Sequence, residues 1–331
     1  MNPESEHQSN APDKTAKGPT SEENVYSADP SRKRIRRGAI KRHIKKTRKP
    51  ASKYNCDGSI IKEWRPPSQQ TGTPWLESTP SSLQIEFHRL DREILSFYDW
   101  AKPQEFENIV RRDLVERLST AFQTRYAGIE IHTFGSFASD AQECVHLVRG
   151  KGKINAISDF LESTNIAVPD SIECVAHARV PILKFVDRVT GLRVDLSFDN
   201  NSGLIANETF QTWKEQFPIM PAILLVVKQF LLIRGLNEVR TGGLGGFSVT
   251  CLVTSLLQHL PKGHMQLNAG SILMEFFNFY GNKFQYNQVA ICLDPPGYFS
   301  KKSLGNPDRL TIEDPNNADN DISGGARAIR L

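Results

Sequence analysis

"ARVPILKFVDRVTGLRVDLSFD", residues 178–199, sets two β-rich runs on either side of a short turn. Both runs are built from β-branched, aliphatic and aromatic residues, and "RVTG" (188–191) between them ends in Gly, so the stretch predicts a hairpin. Pro181 has no amide hydrogen to donate, which predicts that the first strand is interrupted there or lies at a sheet edge. Along the second strand, period-2 alternation puts Arg193, Asp195 and Ser197 on one face and Val194, Leu196 and Phe198 on the other. On spacing alone Asp195 is either a metal ligand or a solvent-facing carboxylate on a half-exposed sheet.

The text on both sides of this hairpin reads differently. Leu83, Phe87, Leu90, Ile94 and Phe97 recur at spacings of 4, 3, 4 and 3, the pattern of an amphipathic helix. A second helix is predicted over 104–125, with Phe106, Val110, Leu114, Leu118 and Phe122 on its apolar face. "IEIHTFG" (129–135) then alternates and stops at Gly, as a strand running into a turn does. Helical text resumes at 153–163, and again over 208–217, 218–235, 246–260 and 269–281, before a tail of loop chemistry, "DPNNADNDISGGARAIRL". No period of 20–50 residues repeats, which excludes solenoids and propellers. The layout is helices, a small α/β insert, then helices: two lobes, with the chain leaving one and returning to it.

Charge is distributed unevenly. The run "RKRIRRGAIKRHIKKTRK" (32–49) holds eleven Lys or Arg and no acid; without it the chain has 30 basic against 37 acidic residues, a net of −7. The overall +4 is therefore a property of the tail, whose composition suits nuclear import or sequence-blind phosphate contact. Residues 1–80 lack a sustained apolar period and are read as disordered. Five cysteines (56, 144, 174, 251, 292) form no CxxC pair, which argues against a disulfide frame or zinc site and fits a reducing compartment. "MNPESEHQSN" has no signal-peptide core, and the longest apolar stretch, 219–233, is broken by Lys228 and Gln229 and is too short for a bilayer. A soluble nuclear protein is expected, the nucleolus included.

Other candidates for chemistry are few. Gly135-Ser136 after a strand lets backbone N–H groups and a hydroxyl approach a phosphate, although such pairs are also ordinary turns. "TGGLGGFS" (241–248) lacks P-loop order; it is either a flexible helix connection or, through Ser248 and the following helix start, an anion holder. Lys228 interrupts an apolar helix face and either snorkels outward or turns inward to meet negative charge. His132 and His177 each stand alone and are read as structural.

Several stretches, in order, carry a family resemblance: "LDREILSFYDW" (90–100), "TFGSFASD" (133–140), "LRVDLSFDN" (192–200), "LLVVKQFLLIRGLNEVRTGGLGGFS" (224–248), "MEFFNFYG" (274–281) and "IEDPNNADNDI" (312–322). Over about 74–331 the chain resembles the non-canonical poly(A) polymerases of the nuclear, TRAMP-like RNA-surveillance type, in the DNA polymerase β-like nucleotidyltransferase superfamily. The resemblance implies an α+β fold with a polymerase β-like palm inserted in a helical central domain. It divides the chain into a basic tail (1–73), a first part of the central domain (74–104), the palm (105–206) and the rest of the central domain with a nucleotide-recognition loop (207–331). The reaction it implies is addition of AMP from ATP to RNA 3′ ends with two Mg2+ or Mn2+ ions held by three carboxylates. The implied partners are RNA, a zinc-knuckle RNA-binding protein and an RNA helicase. By the same match Gly135 and Ser136 are the phosphate turn, Asp195 is the third metal-binding carboxylate, and Lys228 and Ser248 meet the triphosphate. Asn207 lies near the ribose, and Asn320 and Asp321 fall in the base-reading loop.

The chain departs from this pattern after "TFGSFASD". The family's Asp-x-Asp pair and the strand that carries it should follow, and "AQECVHLVRGKGKINAISDFLES" (141–163) stands there instead. Asp140 and Glu143, the nearest acids, are three apart and cannot share a strand face. The sequence thus predicts a palm trimmed by a strand, with one carboxylate of three. Three readings follow: an adenylyltransferase chain lacking a segment through an exon or transcript difference, an inactive relative that binds RNA or protein, or a relative that adds uridine or acts on DNA.

Overall fold

The computed structural model describes residues 59–60, 73, 75, 89–126, 129–135, 142–148 (backbone), 154–176, 181–198, 201–261, 268–303 and 309–327. The basic run 32–49, Ser136, Asp140 and His177 lie outside them.

One hydrophobic core belongs to a five-stranded sheet. Its strands are β1 (Glu130–Phe134), β2 (Gln142–Val148), β3 (Glu173–Val175), β4 (Ile182–Val186) and β5 (Arg193–Phe198), in the order β1-β2-β5-β4-β3. Only β2 and β5 run parallel; the other pairs are antiparallel. Helices α1 (Arg89–Ala101) and α2 (Glu105–Arg125) precede the sheet, and α3 (Ile154–Ser163) follows β2. Leu114, Leu118 and Phe122 of α2 and Leu161 of α3 bury themselves against Leu183, Phe185, Val194 and Leu196, the alternate residues of the predicted hairpin. The predicted apolar face of α2 includes Phe106 and Val110, but both are exposed and core contact begins at Leu114.

The hairpin turn is organised by a carboxylate without solvent exposure. Asp187 accepts from the Thr190 amide at 2.8 Å and its hydroxyl at 2.7 Å, and Gly191 takes φ +72° to close the turn. Arg117 of α2 grips the same carboxylate with two N–H groups at 3.2 and 3.0 Å, so helix and turn are fastened together. Burial alone pushes the Asp187 carboxyl up, but the bonds from Arg117 and Thr190 together outweigh it and hold the group below the usual carboxylate range. β4 begins at Ile182, one residue past Pro181, and is not an edge, because β3 covers its far side; the stretch 178–180 before Pro181 lies outside the described residues.

A second core is helical. It is made by Ile94 of α1 with α4 (Ser202–Gln216), α5 (Met220–Leu232), α6 (Gly246–His259) and α7 (Ala269–Asn278). α1 therefore packs with helices that lie more than a hundred residues later, and its Asp91 caps the far end of the arrangement by accepting from the Ala269 amide at 2.6 Å. Text read as helical or loop also contains two hairpins: β6 (Val289–Leu293) with β7 (Pro296–Ser300), and β8 (Glu313–Asp314) with β9 (Asn317–Asp321). Among the described residues no helix is long and apolar enough to cross a membrane.

A strand stands beside Asp195 although the Asp-x-Asp text is missing. Gln142–Val148 forms a strand between β1 and β5, so the position beside Asp195 is filled and the sheet has no gap there. The sequence allows this because "QECVHLV" alternates well enough to pair on both sides.

Candidate functional site

Asp195 sits at the middle of β5 with Val194 and Leu196 buried on either side of it. Its side chain keeps 14% exposure, so it is largely sheltered and not the solvent-facing residue of a bare sheet. Lys184 is directly across on β4, with Nζ 3.5 Å from the Asp195 carboxylate. Sequence reading missed Lys184; its position in phase with Asp195 across the "RVTG" turn is the signal that could have found it.

The phosphate-turn candidate is at the same level of the sheet. Register places Phe134 of β1 in one row with Cys144 of β2 and Asp195 of β5. Two strand spacings separate Phe134 from Asp195, about 10 Å. Gly135, the next residue, is exposed and has φ +113°, a conformation that a Cβ would strain. The Phe134 ring also lies against the start of α4: a Cβ on Gly203 would stand 2.3 Å from it. Only Gly allows that approach, and it brings the helix carrying Asn207 to the end of β1.

The remaining candidates gather at the start of α6. Lys228 is half-buried, its Nζ 3.6 Å from where a Cβ on exposed Gly246 would be. The "TGGLGG" segment is no flexible connection. The Gly243 amide donates to the Glu238 carbonyl and the Leu244 amide to the Leu236 carbonyl, both at 2.8 Å, with Gly242 at φ +92°. Ser248 is buried, and its hydroxyl donates to the Ile322 carbonyl at 3.0 Å, tying α6 to the end of β9. At the other end of that hairpin the Thr209 hydroxyl of α4 donates to Asn316 Oδ1 at 2.7 Å. Lys228, Ser248 and the segment carrying Asn320 and Asp321 are thus brought together, with Asn207 on the helix bonded to the same hairpin.

The two loop residues are occupied locally. Asn320 donates to Asp314 Oδ2 at 2.8 Å. Asp321 accepts from the amides of Ile312 and Ser323 at 3.2 and 2.9 Å and from the Ser323 hydroxyl at 2.6 Å, and pairs with Arg309 at 2.8 Å. Those bonds make Asp321 a fastener of the hairpin. His132 is exposed on β1, 3.4 Å from Glu130.

A sheet with a sheltered carboxylate on its middle strand and a glycine turn one residue past that row, packed at Gly203 and paired at Arg240 with a helical lobe that carries Lys228, has the make-up of a nucleotidyltransferase palm and central domain. The comparisons place the chain more closely. Residues 90–215 match the central palm domain of mitochondrial-like poly(A) RNA polymerases, and residues 268–320 match the Cid1-family poly(A) polymerase domain. "Poly(A) RNA polymerase protein 2" of Saccharomyces cerevisiae is 34% identical over 78% of this chain and 48% of its own length. The "inactive non-canonical poly(A) RNA polymerase protein Trf4-2" of Drosophila melanogaster is 28% identical over 70% of this chain and 63% of its own. The solved polymerase core of TRAMP, an RNA surveillance complex, is 34% identical with a TM-score of 0.70, covering 78% of this chain and 87% of that one. The chain belongs to the non-canonical poly(A) polymerases of the nucleotidyltransferase superfamily. It spans under half the length of the yeast relative.

Among the described residues, those beside Asp195 do not fit the divalent metals that the family resemblance implies. By that resemblance the other carboxylates stand on the strand beside Asp195 and in phase with it. The β2 positions in register with Arg193, Asp195 and Ser197 are Gln142, Cys144 and His146, none of them acidic. Glu143 is in register with buried Val194. Among the described residues, no group of three or more His, Cys, Asp or Glu is gathered to hold a metal ion.

Proposed function

We propose that this chain carries the nucleotide- and RNA-handling frame of a template-independent RNA 3′-adenylyltransferase, and that its own transfer of AMP from ATP is crippled at the metal site. The observation that carries the reading is the place of Gly135 one residue past the row that holds Asp195, with Lys228 turned to the start of α6. The frame keeps a glycine turn where phosphate can approach the backbone, and an ammonium beside a helix start whose N–H groups favour anions. ATP is the nucleotide supported by the poly(A) polymerase relatives. RNA 3′ ends, a zinc-knuckle RNA-binding protein and an RNA helicase are the partners this reading adopts, in the nucleus.

Binding of ATP to the full chain by equilibrium dialysis tests the frame. Lys228→Met should raise Kd about tenfold or more, the loss expected for one charge-assisted contact to phosphate. Unchanged binding in that variant would remove Lys228 from the site. A second reading, a binding scaffold without turnover, is favoured by the non-acidic residues at 142, 144 and 146.

A further inference from the structure

Arg240 belongs to the short turn Val239–Thr241 of the helical lobe, and its guanidinium pairs with Glu173 on β3, the edge strand of the palm. The turn is stitched to the candidate site. Val239 packs on Gly245 and Gly325, and a Cβ on Gly325 would stand 2.2 Å from its side chain. The Arg327 amide donates to the Gly242 carbonyl at 2.8 Å. Whatever moves Arg240 therefore moves the loop leading to Gly246 and Ser248.

On the palm side, Glu173 does not stand alone. Register puts Glu173 of β3, Lys184 of β4 and Asp195 of β5 in a single cross-strand row. Read across the lobes, the charges alternate: Asp195, Lys184, Glu173, Arg240. Lys184 lies between two carboxylates, one belonging to the candidate site and the other to the pair with Arg240.

We propose that Arg240 and Glu173 form a clasp that biases how far palm and helical lobe separate, and that Lys184 relays the charge at Asp195 to it. While Asp195 holds Lys184, with Nζ 3.5 Å from its carboxylate, Glu173 is left to Arg240 and the clasp is strong. When Asp195 is replaced by a residue that cannot hold Lys184, Lys184 is freed toward Glu173, its neighbour in the same cross-strand row, competes with Arg240, and weakens the clasp. Lys184 is thus a positioning residue that acts through its two carboxylate neighbours. The inference rests on the proposed nucleotide frame only for its use, since separating the lobes would open that frame; its test involves neither ATP nor turnover.

Exposure sets the size of the effect. The Arg240 and Glu173 side chains are 72% and 50% exposed, so solvent screens their attraction. An ion pair of this kind shifts a two-state balance by about two- to fivefold, enough to bias the lobes without locking them.

The experiment is a distance distribution between labels carried by unnatural amino acids at Val189 in the palm and Met274 in the helical lobe, both well exposed. Full-length chain is used throughout. Arg240→Gln should raise the open population about two- to fivefold, whereas Arg240→Lys should stay near the parent. Asp195→Asn should shift the distribution the same way, and should have no further effect in a Lys184→Met background. An unchanged distribution in Arg240→Gln overturns the clasp. An equal effect of Asp195→Asn with and without Lys184 overturns the relay. Thermal melts of every variant separate these outcomes from loss of fold, and unchanged ATP binding by the parent chain leaves the frame reading unaffected by either.

Discussion

The hydroxyl of Ser248 donates to the carbonyl of Ile322, 74 residues further along the chain, and so binds the first turn of α6 to the end of the β8–β9 hairpin. The family resemblance gives the same residue a place at the triphosphate. In the structure its hydrogen is already directed at a carbonyl, and only its lone pairs and the neighbouring amides can serve a ligand.

Replacing Ser248 with Ala should leave the Ile322 carbonyl without this donor. Since Ser248 is buried, the expected loss is about 1–2 kcal/mol of stability in urea unfolding, with faster amide exchange over 317–323. A variant of parental stability whose only defect is weaker ATP binding would assign the hydroxyl to the ligand instead.

Arg117 and Asp187 make the palm sensitive to acid. The Asp187 carboxyl is held below its ordinary value, so the stability it contributes is present above about pH 4 and lost as pH falls through its folded-state value. Asp187→Asn should be less stable than the parent at pH 7, and the gap should narrow below about pH 4. Arg117→Met strands a carboxylate without solvent exposure and should cost about 3 kcal/mol at neutral pH, the low end for a broken buried pair because the Arg side is 32% exposed. A gap between parent and Asp187→Asn that does not change with pH would show that the pair contributes nothing to the acid response.

Gly243 tests whether the glycine loop is a rigid support. A Cβ there would lie 2.2 Å from the Leu236 carbonyl oxygen, and backbone cannot step aside as a flexible side chain can. Gly243→Ala should lower stability by about 1–3 kcal/mol and weaken ATP binding, because the loop carries Gly246. Gly191→Ala is the control: it has open space but φ +72°, so it should destabilise by about 1–2 kcal/mol and leave ATP binding untouched. Equal effects of the two on ATP binding would argue that the loop plays no part in it.

How much of this was legible in the sequence depends on whether apolar spacing carried the signal. The helices around Ile94 and Leu118 and the hairpin around Asp187 bury alternate or periodic apolar residues, and periodicity found them. β6, "VAICL", is a continuous apolar run that period alone does not separate from helix. β8 and β9, "ED" and "NADND", contain a single apolar residue, Ala318; Asp314, Asn320, Asp321 and Ser323 hold that hairpin by polar bonds that no hydrophobic pattern reports. Of the candidate site, Asp195, Gly135 and Lys228 are proposed from motif and resemblance. Lys184, Glu173 and Arg240 were not, since each is defined by a cross-strand or interlobe neighbour and sits in text of no special composition.

The most direct measurement is extension of an oligoadenylate primer by purified full-length chain with labelled ATP and Mg2+. With one carboxylate among the described residues where the resemblance implies three, growth should be absent or slower by about a thousandfold or more than in a chain that has the Asp-x-Asp strand. ATP should nonetheless bind, and Lys228→Met should weaken that binding. Robust, Mg2+-dependent tail growth that Asp195→Asn abolishes would contradict this, and would mean that carboxylates outside the described residues complete the site.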